Sequence, residues 1–200
     1  MSTWLFIGSS PSAPAGLALA RRTHVIDRTI TCNAGILLEP TPDVYLCIDH
    51  VACRRYADHA MAAASRGTHT VTLAREERAL RERRLDQYAE RLTLPGHGEP
   101  TRETWGSFRY SGPLCMEYAL RHGATRLVLV GCEGYRHGDA HDYFDGVYRR
   151  PINPRTATGE VLVPRTRLLC RLWPETQWTV YGSLAYAINE PNWHVVPCGP

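Results

Sequence analysis

Titratable side chains crowd one place in this sequence. Directly after the apolar run 125–130 the chain reads GCEGYRHGDAHDYFDG, which brings Glu133, Tyr135, His137, Asp139, His141, Asp142, Tyr143 and Asp145 close together. Such a density of acids, bases and phenols just past a strand suits proton transfer at a reacting centre. Two chemistries fit these residue types. His137 and His141, with Asp139, Asp142 or Asp145, offer ligands for a divalent metal, although Gly138 between the histidines works against a helical H-x-x-x-H face. Alternatively, one histidine acts as general acid or base while a tyrosine donates to a leaving phosphate, with no metal required.

Three further places carry small polar residues at the ends of apolar runs. Residues 4–7 break into Gly8-Ser9-Ser10-Pro11-Ser12, where backbone N–H groups and hydroxyls approach a phosphate at a helix start without steric hindrance. The spacing is not the dinucleotide fingerprint G-x-G-x-x-G, and Ser and Pro are also ordinary helix-start residues. Asn33 follows the run 29–32 and Asp49 follows 44–48. Each suits contact with a ribose or base, and each equally suits capping of the helix that follows. His50, Cys53 and His59 lie along an alanine-rich segment and read as a mixture of exposed and buried helix positions. No G-x-S-x-G elbow occurs and no cysteine stands in a catalytic context, so nucleophilic hydrolysis is set aside.

The elements that must position these residues alternate between strand and helix. Residues 4–7 read as strand, turn and then helix over LALARR; 23–26 and 29–32 are brief apolar or β-branched segments; 44–48 is a further strand. The stretch VACRRYADHAMAAASRG reads as a helix stopped by Gly67, followed by a strand at 69–73. Residues 74–92, AREERALRERRLDQYAERL, read as a solvated surface helix, with Glu77 and Arg81 spaced for an i,i+4 pair. LPGHGEPTRETWGS is a loop, after which Ser111 is expected to cap the helix GPLCMEYALRHG, with Pro113 in its first turn and Gly123 at its end. Residues 125–130 give the strongest strand signal, suited to a buried parallel strand. Beyond it come an irregular Pro- and Arg-rich excursion at 149–164, a helix at 166–173, a strand at 178–181 and a short apolar helix opened by Gly182 and Ser183. This alternation predicts one α/β domain over 1–200, Rossmann-like, with a mostly parallel sheet flanked by helices. Ligands of such sheets collect outside the carboxyl ends of the strands, where all four candidate places fall.

Composition narrows the classes. A chain of 200 residues, 44% hydrophobic and 22% charged, is long enough to bury a core and unlike a disordered tail, a coiled coil or a disulfide-stapled miniprotein. Its net charge of +3 implies no strong nucleic-acid or membrane field. All 23 basic residues are arginine, which excludes a Walker lysine, a Schiff-base lysine and a lysine general base. The seven cysteines contain no C-x-x-C pair and read as buried thiols of a reducing compartment. The N-terminus has no signal-peptide pattern and no run approaches the roughly 20 apolar residues of a membrane span, so a cytoplasmic protein is expected. Arg149, Arg150, Arg155, Arg165, Arg167 and Arg171 cluster with Glu160 as the single acid among them, which permits a phosphate-tracking face for a nucleic-acid acceptor; the prolines there equally mark a plain surface excursion.

The order FIGSSPS, TCNAG, PDVYLCIDH and then RYSGPLCMEYALRHGATRLVLVGCEGY resembles the bacterial sialyltransferases of glycosyltransferase family 42. It is also similar to the related motility-accessory-factor glycosyltransferases and archaeal pterin pyrophosphokinases, which share a Rossmann-like core. The similarity covers most of residues 3–146, and WTVYGSLAYAI resembles the closing strand and helix. Its most specific part is S-G-x-x-C followed by an apolar helix, a glycine, a strand and G-x-[DE]-x-Y.

The resemblance implies a nucleotide-sugar donor, with a CMP-sugar favoured, and no required cofactor. The sialyltransferase loop G-N-G-P-S is matched at Gly8, Pro11 and Ser12, with Ser9 in place of its Asn and Ser10 beside it. Asn33 falls on a nucleotide contact of the family. Asp49 stands where the sialyltransferases carry Asn, as in the motility-factor relatives. Ser111 and Gly112 match the donor-binding Ser-Gly, Glu133 falls in the G-x-[DE]-x-Y motif, and Arg109 lies one position from a family active-site Arg. Tyr135 falls on a phosphate-contacting Tyr, and Tyr143 supplies a second after a small gap; their phenols, with Arg109, would stabilise the departing nucleotide. The family's catalytic His lies further downstream, where this chain has Pro and Arg, and His137 or His141 takes the role of base in the expected mechanism. Two alternatives stand beside the transferase: a pterin or nucleotide pyrophosphokinase using Mg2+ held by acids such as Asp49 and Asp139, and a noncatalytic nucleotide-binding protein. The acceptor is not implied.

Overall fold

A computed structural model describes residues 1–48, 50–73, 89–95, 98–106, 110–132, 159–182 and 188–196. Its centre is β1 (Thr3–Ile7), whose five residues are all buried. Alternate side chains of this strand serve opposite layers. Trp4 and Phe6 enter the larger core, while Leu5 and Ile7 pack with Leu17, Ala20, Val128, Val130 and Tyr181 in a second one. A strand apolar on both faces needs cover on both, and the chain supplies it with crossover helices.

Around β1 run α1 (Ala13–Thr23), β2 (Arg28–Cys32), a 3-10 helical turn (Asn33–Leu37), β3 (Val44–Cys47), α2 (His50–Arg55), α3 (Ala57–Ala64), β4 (His69–Leu73) and β5 (Ala89–Leu92). Then come α4 (Ser111–Arg121), β6 (Arg126–Val130), α5 (Gly159–Leu172), β7 (Gln177–Tyr181) and β8 (Trp193–Val196). These eight strands form one sheet in the order β5-β4-β3-β2-β1-β6-β7-β8, with every pairing parallel. The fold is α/β and Rossmann-like, as the alternation of elements predicts. The chain steps outward from β1 to β5, then returns to lay β6 against the other side of β1, so the strand order reverses between these two strands. Parallel pairing puts all the carboxyl ends, from Gly8 after β1 to Gly131 after β6, on one edge. No helix among the described residues is long and apolar enough to cross a membrane.

Several sequence expectations change. Residues 23–26 are not a strand: α1 runs through Thr23, Val25 is 86% exposed, and pairing with β1 begins at Arg28. The expected helix ending at Leu92 closes instead as β5, because Leu92 reaches the core beside β4 while Glu90 ion-pairs with His69 across the strands at 2.6 Å; residues 74–88 lie outside the described residues. Ser111 is the first helical residue of α4, not its cap. Tyr110, extended at φ −118° and ψ 133°, holds the cap position, without a side-chain hydrogen bond. α5 begins at Gly159, seven positions before the expected start at 166, and carries Pro164 inside it, so the Pro-rich excursion turns helical there. β8 is a strand that the sequence reading does not contain. The apolar helix expected from Ser183 onward lies outside the described residues. Among the cysteines, Cys32, Cys115, Cys132 and Cys170 are buried and free, as expected, whereas Cys47 and Cys53 form a disulfide.

Candidate functional site

The carboxyl edge at β1, β2 and β6 draws together the described candidates. Packing forces the first loop onto the end of β6. The Gly8 amide donates to the Val130 carbonyl at 2.9 Å and the Ser10 amide to the Gly131 carbonyl at 3.2 Å. A Cβ on Gly8 would stand 2.2 Å from the Gly131 oxygen, so only glycine permits this approach. Gly131 itself adopts φ +65°. These two amides, which the sequence offers to a phosphate, are thus engaged by protein carbonyls.

On its other side the loop is tied to β2. The buried Ser9 hydroxyl donates to the Cys32 carbonyl at 3.3 Å, and the next residue is Asn33. Asn33 has φ +50°, the single positive value at a non-glycine among the described residues, and asparagine tolerates this conformation better than most residues. Behind it, Gly35 lies so close to Thr31 and the Ile7 carbonyl that any side chain there would clash, and Thr31 Oγ1 donates to that same carbonyl at 2.8 Å. The turn that presents Asn33 is therefore fixed to the ends of both β1 and β2.

The start of α4 reaches the same edge. A Cβ on Gly112 would meet Leu162 of α5 at 3.7 Å and Phe6 of β1 at 4.0 Å, ordinary contact distances. One turn on, the Cys115 thiol hydrogen-bonds with Cys32, and burial pushes its acidity well below that of a free thiol. The start of α4, with Ser111 and Gly112, thus lies beside β1 and the end of β2.

Two polar atoms at this edge have no partner among the described residues. Ser12 Oγ and Asn33 Oδ1 are both shielded from solvent and have no hydrogen-bond partner among the described residues. Leaving such atoms unpaired costs free energy that a ligand or water recovers. Two of the helices that begin at this edge, α1 and α4, lack an acidic residue in the first turn and a side-chain cap. Each has eleven residues, so their positive dipole ends and first-turn amides favour an anion.

Asp49, Arg109, Glu133, Tyr135, His137, His141 and Tyr143 lie outside the described residues, as do Asp139, Asp142 and Asp145. Among the described residues no group of three or more His, Cys, Asp or Glu side chains converges as metal ligands, and Cys53 is committed to Cys47. Of the six clustered arginines, Arg167 and Arg171 both approach Glu190, at 3.8 and 2.8 Å, which offsets part of their charge; Arg149, Arg150 and Arg155 lie outside the described residues.

Sequence reasoning misses the support of this edge. Arg121 on α4 ion-pairs with the buried Glu117 at 2.7 Å, donates to the carbonyls of Thr101, Arg102 and Thr104, and lies 4.7 Å from the Trp105 ring centre. Glu117 also accepts from the Gly106 amide at 3.1 Å. The segment leading into α4 is thereby strapped to the helix it precedes. Burial raises the Glu117 carboxyl above its ordinary range despite the arginine beside it. An i,i+4 Glu–Arg pair looks like a surface pair in sequence, and only the apolar run around it signals burial. Compared with protein-family models, with curated proteins and with solved structures, the chain matches none.

Proposed function

We propose that the chain is a nucleotide-sugar-dependent glycosyltransferase of the sialyltransferase type, holding its donor at the carboxyl edge of β1 and β2. One observation carries the reading: Ser12 Oγ and Asn33 Oδ1, without a hydrogen-bond partner among the described residues, lie at the carboxyl edge where the strand order reverses and where α1 and α4, neither bearing a first-turn acid, begin. The dipole ends suit the donor phosphate, and the two polar atoms suit hydroxyls or amines of the ribose and base. A CMP-sugar is the favoured donor.

In the transfer step His137 or His141 takes the proton of an acceptor hydroxyl as its oxygen attacks the anomeric carbon. The carbon–oxygen bond to phosphate breaks, and the nucleotide leaves with the electron pair. Tyr135, Tyr143 and Arg109 donate to the phosphate oxygens as that charge develops. Replacing both histidines with alanine is expected to abolish donor turnover, including slow hydrolysis to water, while nucleotide affinity stays within about twofold. Turnover that survives the double replacement overturns the assignment. Strict loss of activity with chelator points to the Mg2+-dependent pyrophosphokinase, and nucleotide binding without turnover on any acceptor, water included, points to a noncatalytic binder.

A further inference from the structure

The Cys47–Cys53 disulfide joins the last residue of β3 to the fourth residue of α2, with 5.7 Å between their Cα atoms. That spacing is ordinary for a disulfide. Both residues are buried, in a small core where Ala34, Ala52, Ala57, Ala60 and Ala63 pack with Tyr45, Tyr56 and Ile36. α2 is six residues long and is separated from α3 at Tyr56. A helix of this length does not hold itself together in water, so its place depends on what anchors it. Its neighbours are β3, α3 and the 3-10 turn Asn33–Leu37. Ala34 and Ile36 of that turn belong to the same small core as Ala52 and Cys53 of α2. The turn begins at Asn33, with its positive φ and an Oδ1 that has no partner among the described residues. A strained residue of this kind persists because its surroundings hold it.

We propose that the Cys47–Cys53 pair is a thiol–disulfide switch that sets the order of α2 and, through the packed alanine core, of the turn presenting Asn33. As regulation of the nucleotide site, it rests on the reading given above. A dithiol reductant supplies two electrons and two protons. When local opening of α2 exposes the pair, one thiolate of the reductant attacks a sulfur to form a mixed disulfide, and the reductant's second thiol displaces the protein sulfur. The products are two cysteine thiols and the oxidised, cyclic reductant. Two thiol sulfurs need more room than two bonded ones. In a close-packed core of alanines that room comes from displacing α2, the shortest helix against it. The free cysteines among the described residues, Cys32, Cys115, Cys132 and Cys170, are buried in the larger core and keep their thiols in both states.

The test compares the full chain oxidised, reduced by a dithiol, and as Cys53→Ser, using differential alkylation with peptide mapping and amide hydrogen exchange. Cys47 and Cys53 should become alkylatable together, and amides in 33–38 and 50–56 should exchange at least about tenfold faster in the reduced form and in Cys53→Ser, with 3–7 and 126–130 unchanged. Equal exchange in the oxidised and reduced forms, or a Cys47 thiol that alkylates in the oxidised chain, overturns the switch. CMP affinity measured on the same samples should fall at least about threefold on reduction. If CMP binds neither form, the nucleotide reading fails, and the exchange rates alone decide the switch.

Discussion

At the scale of single residues, two positions carry most of the account. Gly8 is required by contact rather than by an unusual backbone angle, since its missing side chain lets the Gly131 carbonyl approach. Gly8→Ala is therefore expected to destabilise the chain by about 1–3 kcal/mol in chemical denaturation, because backbone rather than a flexible side chain must move. Asn33 is the opposite case, a residue whose backbone conformation glycine also accepts. Asn33→Gly removes the amide without adding strain, so it separates the side chain's part in binding from its part in folding. The motif reading locates both residues because small or polar residues break apolar runs there. It does not show that Gly8 and Ser10 spend their amides on β6, since Val130 and Gly131 are more than a hundred positions away in sequence.

At the scale of elements, α4 shows how a buried carboxyl holds the segment before a helix in place. Glu117 is fully buried, and its carboxyl is raised above the ordinary glutamate value of about 4.5 by burial. A carboxyl raised on folding gives stability that is fully present below its unfolded value and lost as pH rises through its folded value. Denaturation of wild type and Glu117→Gln across that window should show wild type losing stability relative to the variant as pH rises; parallel profiles would mean that Glu117 is ionised as freely in the folded as in the unfolded chain. The inner strands β1, β2, β3, β4, β6 and β7 are legible to within a residue or two because each is a compact apolar or β-branched run. The edge strands β5 and β8 are not. AERL has the composition of a helix, and only its pairing with β4 makes it a strand. Likewise the Cys47–Cys53 pair has no redox-motif spacing. Its partners meet because a strand end and the first turn of a helix fold back on each other.

At the scale of the whole molecule, the order of strands does what no single motif does. Reversal between β1 and β6 gathers residues from position 8, position 33, position 112 and position 131 onto one edge. The alternation of strand and helix predicts the fold class, and a parallel sheet then dictates which end of each strand matters. Which polar atoms are left without partners depends on packing across that edge, and sequence patterns carry no record of it. Whether the edge of β1 and β2 holds a nucleotide is decided by a thermal-shift and calorimetric titration with CMP, CDP, UMP, UDP, GDP and ATP, each with and without magnesium, on wild type, Ser12→Ala and Asn33→Gly. The account predicts that CMP or another sugar-carrier nucleotide stabilises wild type without metal, by about 2.7 kcal/mol at a hundredfold excess over Kd. Each variant should bind about tenfold more weakly, the cost of roughly one hydrogen bond. Equal affinity in wild type and both variants, or no stabilisation by any nucleotide, would contradict it.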